Sequence, residues 1–381
     1  MCPINGYFDI PFAENGDLNT IPDPTQTNGT VSYNQGFPIG YSTPVGSGGL
    51  LVPRTAFNQV LFDITSAVQN WQQNTVAPFI TSTMNGGTPY SYPANAMVLY
   101  GGNIYISSAG SNTDTPPSAK WQLLALRTRL AGDTTFYVAT TGSDSNTGLS
   151  AGSPWLTLQH AWDAICSQYD LAQYTATIQV ADGTYAALQA TIGAVGGAIV
   201  LNGNAATPSN VMISASGGSG ALSFNSQRSP ITATVKNLEV VNSGGNGISA
   251  SNGTNLTIGA GLIFGACSLS QVSCNNGAKI FMTSGYTIGG GAANHWFASD
   301  TSFIAATGIT ITLGGTPAFS GSFAATQGCS SLECFGNTFT GTATGKRYSA
   351  IGVSFINSNG GGASYLPGSV AGTLASGGQY A

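Results

Sequence analysis

The chain has 381 residues but only 9 Lys/Arg and 14 Asp/Glu, so 6% of it is charged where a soluble domain ordinarily carries about 25%. Its 53 glycines are twice the usual share of ~7%, while 42% of the residues remain hydrophobic, enough for a core. Such a chain is neither an intrinsically disordered polyelectrolyte nor a bundle of long helices. A net charge of −5, with no basic cluster beyond Arg127/Arg129 and Lys346/Arg347, excludes a phosphate-backbone footprint. The longest apolar run, residues 190–201, is interrupted by Gly193, Gly196 and Gly197 and is too short to span a bilayer. The first ten residues lack the basic and apolar regions of a secretory signal, so the sequence reads as a soluble protein made in a cytoplasm.

Residues 1–50 are rich in Pro, Gly and Asn and show no sustained period. The first clear element follows Pro53: Phe57, Val60, Leu61, Ile64, Val68 and Trp71 recur at three- and four-residue steps, which predicts an amphipathic helix packed on a partner surface, within its own module or on a neighbouring subunit. Residues 97–100 and 104–106, joined by Gly101-Gly102-Asn103, predict a hairpin. A short neck spans 121–130.

From Phe136 the organisation changes. A strand at 136–138 and a turn-rich loop at 141–148 precede Ser153-Pro154, which read as N-cap and first turn of a helix carrying Trp155, Leu158, Ala161, Trp162 and Ile165. Beyond it only short strands separated by Gly or Asn are readable: 199–201, 211–213, 231–235, 238–241, 256–258, 279–282 and 309–313. Ile248–Ile258 and Val272–Met282 start 24 residues apart, and a third copy starts 25 further on, at Phe297. A period in the twenties built of strands alone predicts a parallel β-solenoid, since a propeller blade needs about 40 residues. The expected fold is mainly β, a right-handed parallel β-helix over 131–345 whose first coil is covered by the helix at 154–165. A small α+β N-terminal module occupies 1–130, and 346–381 forms a C-terminal segment.

At Tyr137-Val138, Gly142–Gly148, Ser153–Thr157, Ala161–Asp163 and Val180–Tyr185 the chain resembles the start of the pectate-lyase-like β-helix superfamily. Its flanks are similar to bacteriophage tail fibre and tailspike proteins. The likeness lies at Phe12–Asp17, Asn34–Pro38, Pro53-Arg54 and Leu61–Ile64 on one side, and at Phe339–Tyr348 and Gly377–Tyr380 on the other. That resemblance implies a homotrimer located on the virion, fixed to a tail or baseplate protein by its N-terminus and presenting the β-helix to a host surface polysaccharide.

The chemistry-bearing residues are sparse. Beyond Asp182 the solenoid offers only Glu239, Asp300 and Glu333 as carboxylates. A glycosidase needs two at about 5–9.5 Å, and Asp300 with Glu333, 33 residues on, is the pair to consider. His295-Trp296-Phe297 is the densest aromatic cluster, and His295, Trp296 and Asp300 are the candidates for contacting a sugar. Alternation along a strand places one of Trp296 and Phe297 outside. The six cysteines, Cys2, Cys166, Cys267, Cys274, Cys329 and Cys334, read as free thiols, with neither the spacing of a zinc site nor an export signal. No metal or cofactor is expected. Three functions follow in order: a receptor-binding tail protein, a capsule- or lipopolysaccharide-degrading endoglycosidase, and a structural baseplate component.

Overall fold

A computed structural model describes residues 8, 10–74, 76–124 and 127–381 of the chain. Two compact units result, Met1–Ala125 and Leu126–Ala381, the boundary falling within the expected neck.

In the first unit the predicted helix is α1, Arg54–Asn74. One of its flanks, at Ala56 and Val60, packs against Ile21 and Val31. Along the other flank residues 8 and 10–17 run antiparallel to the helix. Gln72 Oε1 accepts from Phe8 N–H at 2.9 Å, Thr65 Oγ1 accepts from Phe12 N–H at 2.8 Å, and Asn58 Nδ2 donates to Asp17 O at 3.1 Å. These three polar side chains stand seven residues apart, so they share one line on the helix surface. The hairpin forms as predicted: Met97–Tyr100 pairs antiparallel with Asn103–Ser107, and Trp121–Leu123 adds a third strand. Tyr92, Val98, Tyr105 and Trp121 make its small core.

The second unit is a parallel β-solenoid of about eight turns, of the right-handed type. Its strands stack into three long parallel faces: ten strands from Thr134–Val138 to Gln379–Tyr380, seven from Gly183–Tyr185 to Thr338–Thr340, and nine from Leu188–Ala190 to Thr373–Ala375. Period-two alternation sends every second side chain inward, where stacking in register builds apolar columns. One column on the first face runs Ile178, Leu201, Val235, Ile258, Met282, Ala306, each almost wholly buried. Burying each larger member contributes about 1.5–3 kcal/mol.

The corner between the third and first faces fixes the period. From the coil at Ile248–Ser251 onward, residues 252–253, 276–277, 300–301, 328–329, 352–353 and 376–377 all have positive φ, two in succession at each corner. Asn-Gly fills the first two of these corners, as suits left-handed backbone. The second residue of each donates its N–H to the carbonyl of the first residue one coil on, from Gly253→Asn276 through Val353→Ser376. Asp300 belongs to this ladder with φ +57°.

The helix before the repeats is α2, Leu158–Gln168, and its cap is Thr157 rather than Ser153. Asp144 decides this: its carboxylate accepts from the N–H groups of Leu156 and Thr157 and from the Thr157 hydroxyl, which holds Thr157 in its extended conformation. The Thr157 oxygen in turn accepts from His160 N–H. Leu158, Ala161, Trp162 and Ile165 close the open coil. The Gln159 amide pairs with both backbone groups of Gln189, at 2.9 and 3.1 Å, and so occupies the edge of the outermost strand as another strand would. At the other end, residues 346–381 are a continuation of the solenoid. Tyr348–Ile351, Phe355–Asn357, Thr373–Ala375 and Gln379–Tyr380 all stack in parallel register, because the inward positions Tyr348, Ala350 and Ile356 still need burial.

Of the six cysteines, Cys166, Cys267, Cys274 and Cys334 are buried free thiols and Cys329 is exposed, while Cys2 lies outside the described residues. Burial pushes the thiols of Cys274 and Cys334 up to about 12, so they pack as small apolar groups.

Candidate ligand-binding site

Successive corners stand 24 residues apart from 252 to 300 and again from 328 to 376, but 28 separate Asp300 from Gly328. Strand register shows where this coil is longer. Lys279 partners Phe303, 24 on; Tyr286 partners Ile311, 25 on; Ala292 partners Phe319, 27 on; and Asn294 partners Ser322, 28 on. One residue of the surplus enters before the second face, two between the second and third faces, and one inside the third-face strand Ala318–Thr326, where Ser320 and Gly321 are exposed. Ser322 N–H is tied back to Asn294 Oδ1 at 3.1 Å.

Beside that bulge the outer surface of the third face holds a hollow of about 200 Å³. Phe297 lies in it, with Asn294, Gln327, Lys346 and Ser349 supplying polar groups. The outward column containing Phe297 runs Gln189, Ser223, Ser249, Ser273, Phe297, Ala325, Ser349, Thr373. It holds one aromatic, flanked by Ser273 and Ala325, so the half-buried ring is bordered by small side chains along the axis. Among the described residues no carboxylate lies within ion-pair distance of Lys346. An aromatic ring, neutral hydrogen-bonding groups and one cation in a shallow concavity suit stacking on a sugar ring with hydroxyls held at the rim.

His295 and Trp296 are not on this surface. Both are fully buried: the register of the strand Ala292–Ala298 is irregular between Ala292 and Asn294, and two consecutive side chains then lie inside. Gln271 Nε2 donates to the carbonyls of Gly265 and Gly290 at 2.9 and 2.8 Å, so its Oε1 faces His295 Nδ1 at 2.7 Å. Nδ1 therefore carries the proton, and Nε2 accepts from the Tyr286 hydroxyl at 2.6 Å. Burial holds the His295 imidazole well below its ordinary pKa, and pushes the Tyr286 phenol well above its own. His295 is thus a neutral group satisfied inside the solenoid, out of reach of an outside ligand. Of the residues expected to contact a sugar, His295 and Trp296 lie inside the solenoid, while the neighbouring Phe297 is half-buried on the outer face.

Nor are the carboxylates brought together. Glu239 is on the second face and Glu333 on the first, four rungs apart, roughly 19 Å along the axis at the strand spacing. Asp300 is a corner residue aligned with Gly328, five residues before Glu333, on the order of 15 Å between backbones. Burial raises the pKa of Glu239. Among the described residues no group of three His, Cys, Asp or Glu converges on a common point.

Neither a family model nor a curated protein sequence matches this chain.

Sequence reasoning missed Phe297 as the surface aromatic because the third repeat was set one residue late. Val272 pairs with Trp296, and Ser273 with Phe297. A one-residue slip exchanges the two faces of a strand. The usable signal was the 24-residue spacing itself, which, held constant from Val272, lands on Trp296.

Proposed function

We propose that this chain is a receptor-binding tail fibre or tailspike protein, attached to a virion through its N-terminal unit and adsorbing to a host cell-surface glycan through the hollow at Phe297. The supporting observation is the four-residue lengthening of one coil, which makes the concavity beside the single aromatic of an otherwise small and polar outer column. The endoglycosidase alternative lacks a carboxylate pair at catalytic separation among Glu239, Asp300 and Glu333. The resemblance to tail proteins further implies a homotrimer, whose three copies of a weak site would act together.

Adsorption of the fluorescently labelled protein to bacterial cells tests the reading. Binding that disappears when cell-surface sugars are cleaved with periodate, and that falls at least tenfold in Phe297→Ala and Lys346→Ala, supports it. Periodate-sensitive binding that survives both substitutions places the glycan elsewhere on the solenoid. Failure to adsorb to any strain favours the purely structural baseplate role, and release of new reducing ends from surface polysaccharide favours the hydrolase.

A further inference from the structure

The hollow at Phe297 holds a cation that nothing in the chain pairs. Its other polar side chains are mostly engaged. Asn294 Oδ1 accepts from Ser322 N–H at 3.1 Å and from the Ser322 hydroxyl at 3.3 Å, and Asn294 Nδ2 donates to Ser270 Oγ. Thr326 shares a hydrogen bond of 2.9 Å with Ser354, and Ser349 Oγ accepts from the Thr373 hydroxyl. Among the described residues the Lys346 ammonium and the Gln327 amide have no such partner. Charge is equally one-sided. No strand of the third face contains an acidic or a basic residue. Beyond Asp300 the chain has one carboxylate side chain, Glu333, which belongs to the first face. Asp300 itself stands at the corner past the end of Ala292–Ala298, its Oδ2 accepting from the Ser299 hydroxyl. The acids that make the chain −5 overall are therefore remote, and salt screens charges more than about 8–10 Å away, so Lys346 sets the potential in the hollow. Its place along the axis is fixed by register. Phe323 N–H donates to Lys346 O at 2.8 Å, and Ser322 partners Asn294. Lys346 thus begins two strand spacings, roughly 10 Å, from the rung of Phe297, with the small residues Ala325 and Ser349 in the outward column between.

We infer that the hollow selects an acidic sugar, a residue whose ring carries a carboxylate, as in hexuronic and nonulosonic acids. The inference rests on the glycan-binding reading and names the ligand class within it. In such a sugar the carboxylate is attached directly to a ring carbon, so the charge lies at the ring's edge. The apolar face of the ring can then stack on Phe297 while the carboxylate reaches the rim. There it accepts from the Lys346 ammonium and the Gln327 amide, the two groups left free. A charge-assisted hydrogen bond of this kind is roughly twice as strong as a neutral one. A neutral hydroxyl in the same place gains no such bond, and the difference is the source of selectivity. A phosphate is the poorer match, because phosphate sites gather arginine forks or successive backbone N–H groups, whereas one ammonium and one amide line this hollow.

Saturation-transfer difference NMR on the full chain tests it. Glucuronate, galacturonate and N-acetylneuraminate are the acidic probes, glucose, galactose and N-acetylglucosamine the neutral ones, and glucose 6-phosphate the phosphate probe. At least one acidic sugar is expected to give a signal at least about fivefold above every neutral sugar. That signal should fall about fivefold in Lys346→Gln, persist in Lys346→Arg, weaken between about 50 and about 500 mM NaCl, and vanish in Phe297→Ala. If Lys346→Gln loses its circular dichroism, the salt titration of wild type and the Lys346→Arg variant decide instead. Neutral sugars that equal the acidic ones, with every signal still lost in Phe297→Ala, overturn the inference and leave glycan binding in the hollow intact. Glucose 6-phosphate exceeding all three carboxylates overturns it in the same way. Signals that survive Phe297→Ala remove both, since the ring is then not the platform. Silence of all seven probes overturns the inference, and adsorption to cells decides the broader reading separately.

Discussion

The two units use the same kinds of side chain in opposite ways. In the solenoid Trp296, Phe264 and Phe323 are completely buried, because each coil supplies the wall its neighbour needs. In the first unit Phe57 and Trp71 stand more than half exposed on a helix whose flanks are already taken. A repeat satisfies its apolar positions by stacking on itself within one chain, whereas a single helix with a complete apolar seam has no second helix to lie against.

The sharpest test of that contrast replaces one tryptophan at a time. Trp296→Ala removes a side chain packed edge-to-face on Phe323 at 5.1 Å, and is expected to cost about 3–5 kcal/mol in urea unfolding. Trp71→Ala, at a side chain 69% exposed, should cost less than about 1 kcal/mol. Equal losses would break the comparison.

A second measurement uses the buried polar group of the solenoid. The pKa of His295 is depressed in the folded state, so below about 6.5 the unfolded chain binds the extra proton. Its contribution is complete above that pH and is lost as pH falls beneath it, by up to about 1.4 kcal/mol per pH unit. Unfolding free energies at pH 7.5 and 5.0 should therefore differ by up to about 2 kcal/mol more in wild type than in His295→Gln. An unchanged difference would mean that the imidazole is not held neutral.

Smaller effects probe the cap and the corners. Thr157→Ala removes the acceptor for His160 N–H and a donor to Asp144, and should lower stability by about 1 kcal/mol. Val353, with φ +57° and 70% exposed, is a β-branched residue in left-handed backbone. Val353→Gly is expected to raise the thermal midpoint modestly, a gain of under about 1 kcal/mol once the added freedom of the unfolded chain is subtracted. A lowered midpoint would show that the corner tolerates the branch.

Much of this architecture was legible in the sequence, and the exceptions share a cause. The 24-residue period, the strand at 279–282, the hairpin at 97–107 and the extent of α1 follow from local spacing, which the backbone obeys directly. The inside-outside assignment at Trp296 and Phe297 did not, since a single residue of phase decides it and the consecutive burial of His295 and Trp296 interrupts alternation. The cap at Thr157 depended on Asp144, thirteen residues away in sequence, and the hollow on a comparison of coil lengths that only register reveals. Asp300 looked like a carboxylate available for chemistry. Its neighbours in space, Asn276 and Gly328, show a position selected for backbone conformation.

The corner ladder has a consequence for how such a surface diversifies. Because each coil is clamped to the next at 300–301, 328–329 and their equivalents, the stretch around Thr316–Ser322 is free to lengthen or shorten while the stack keeps its pitch. Recognition can thus be rewritten at one vertex of the prism without renegotiating the others, as a shelf can be deepened without moving the posts that carry it.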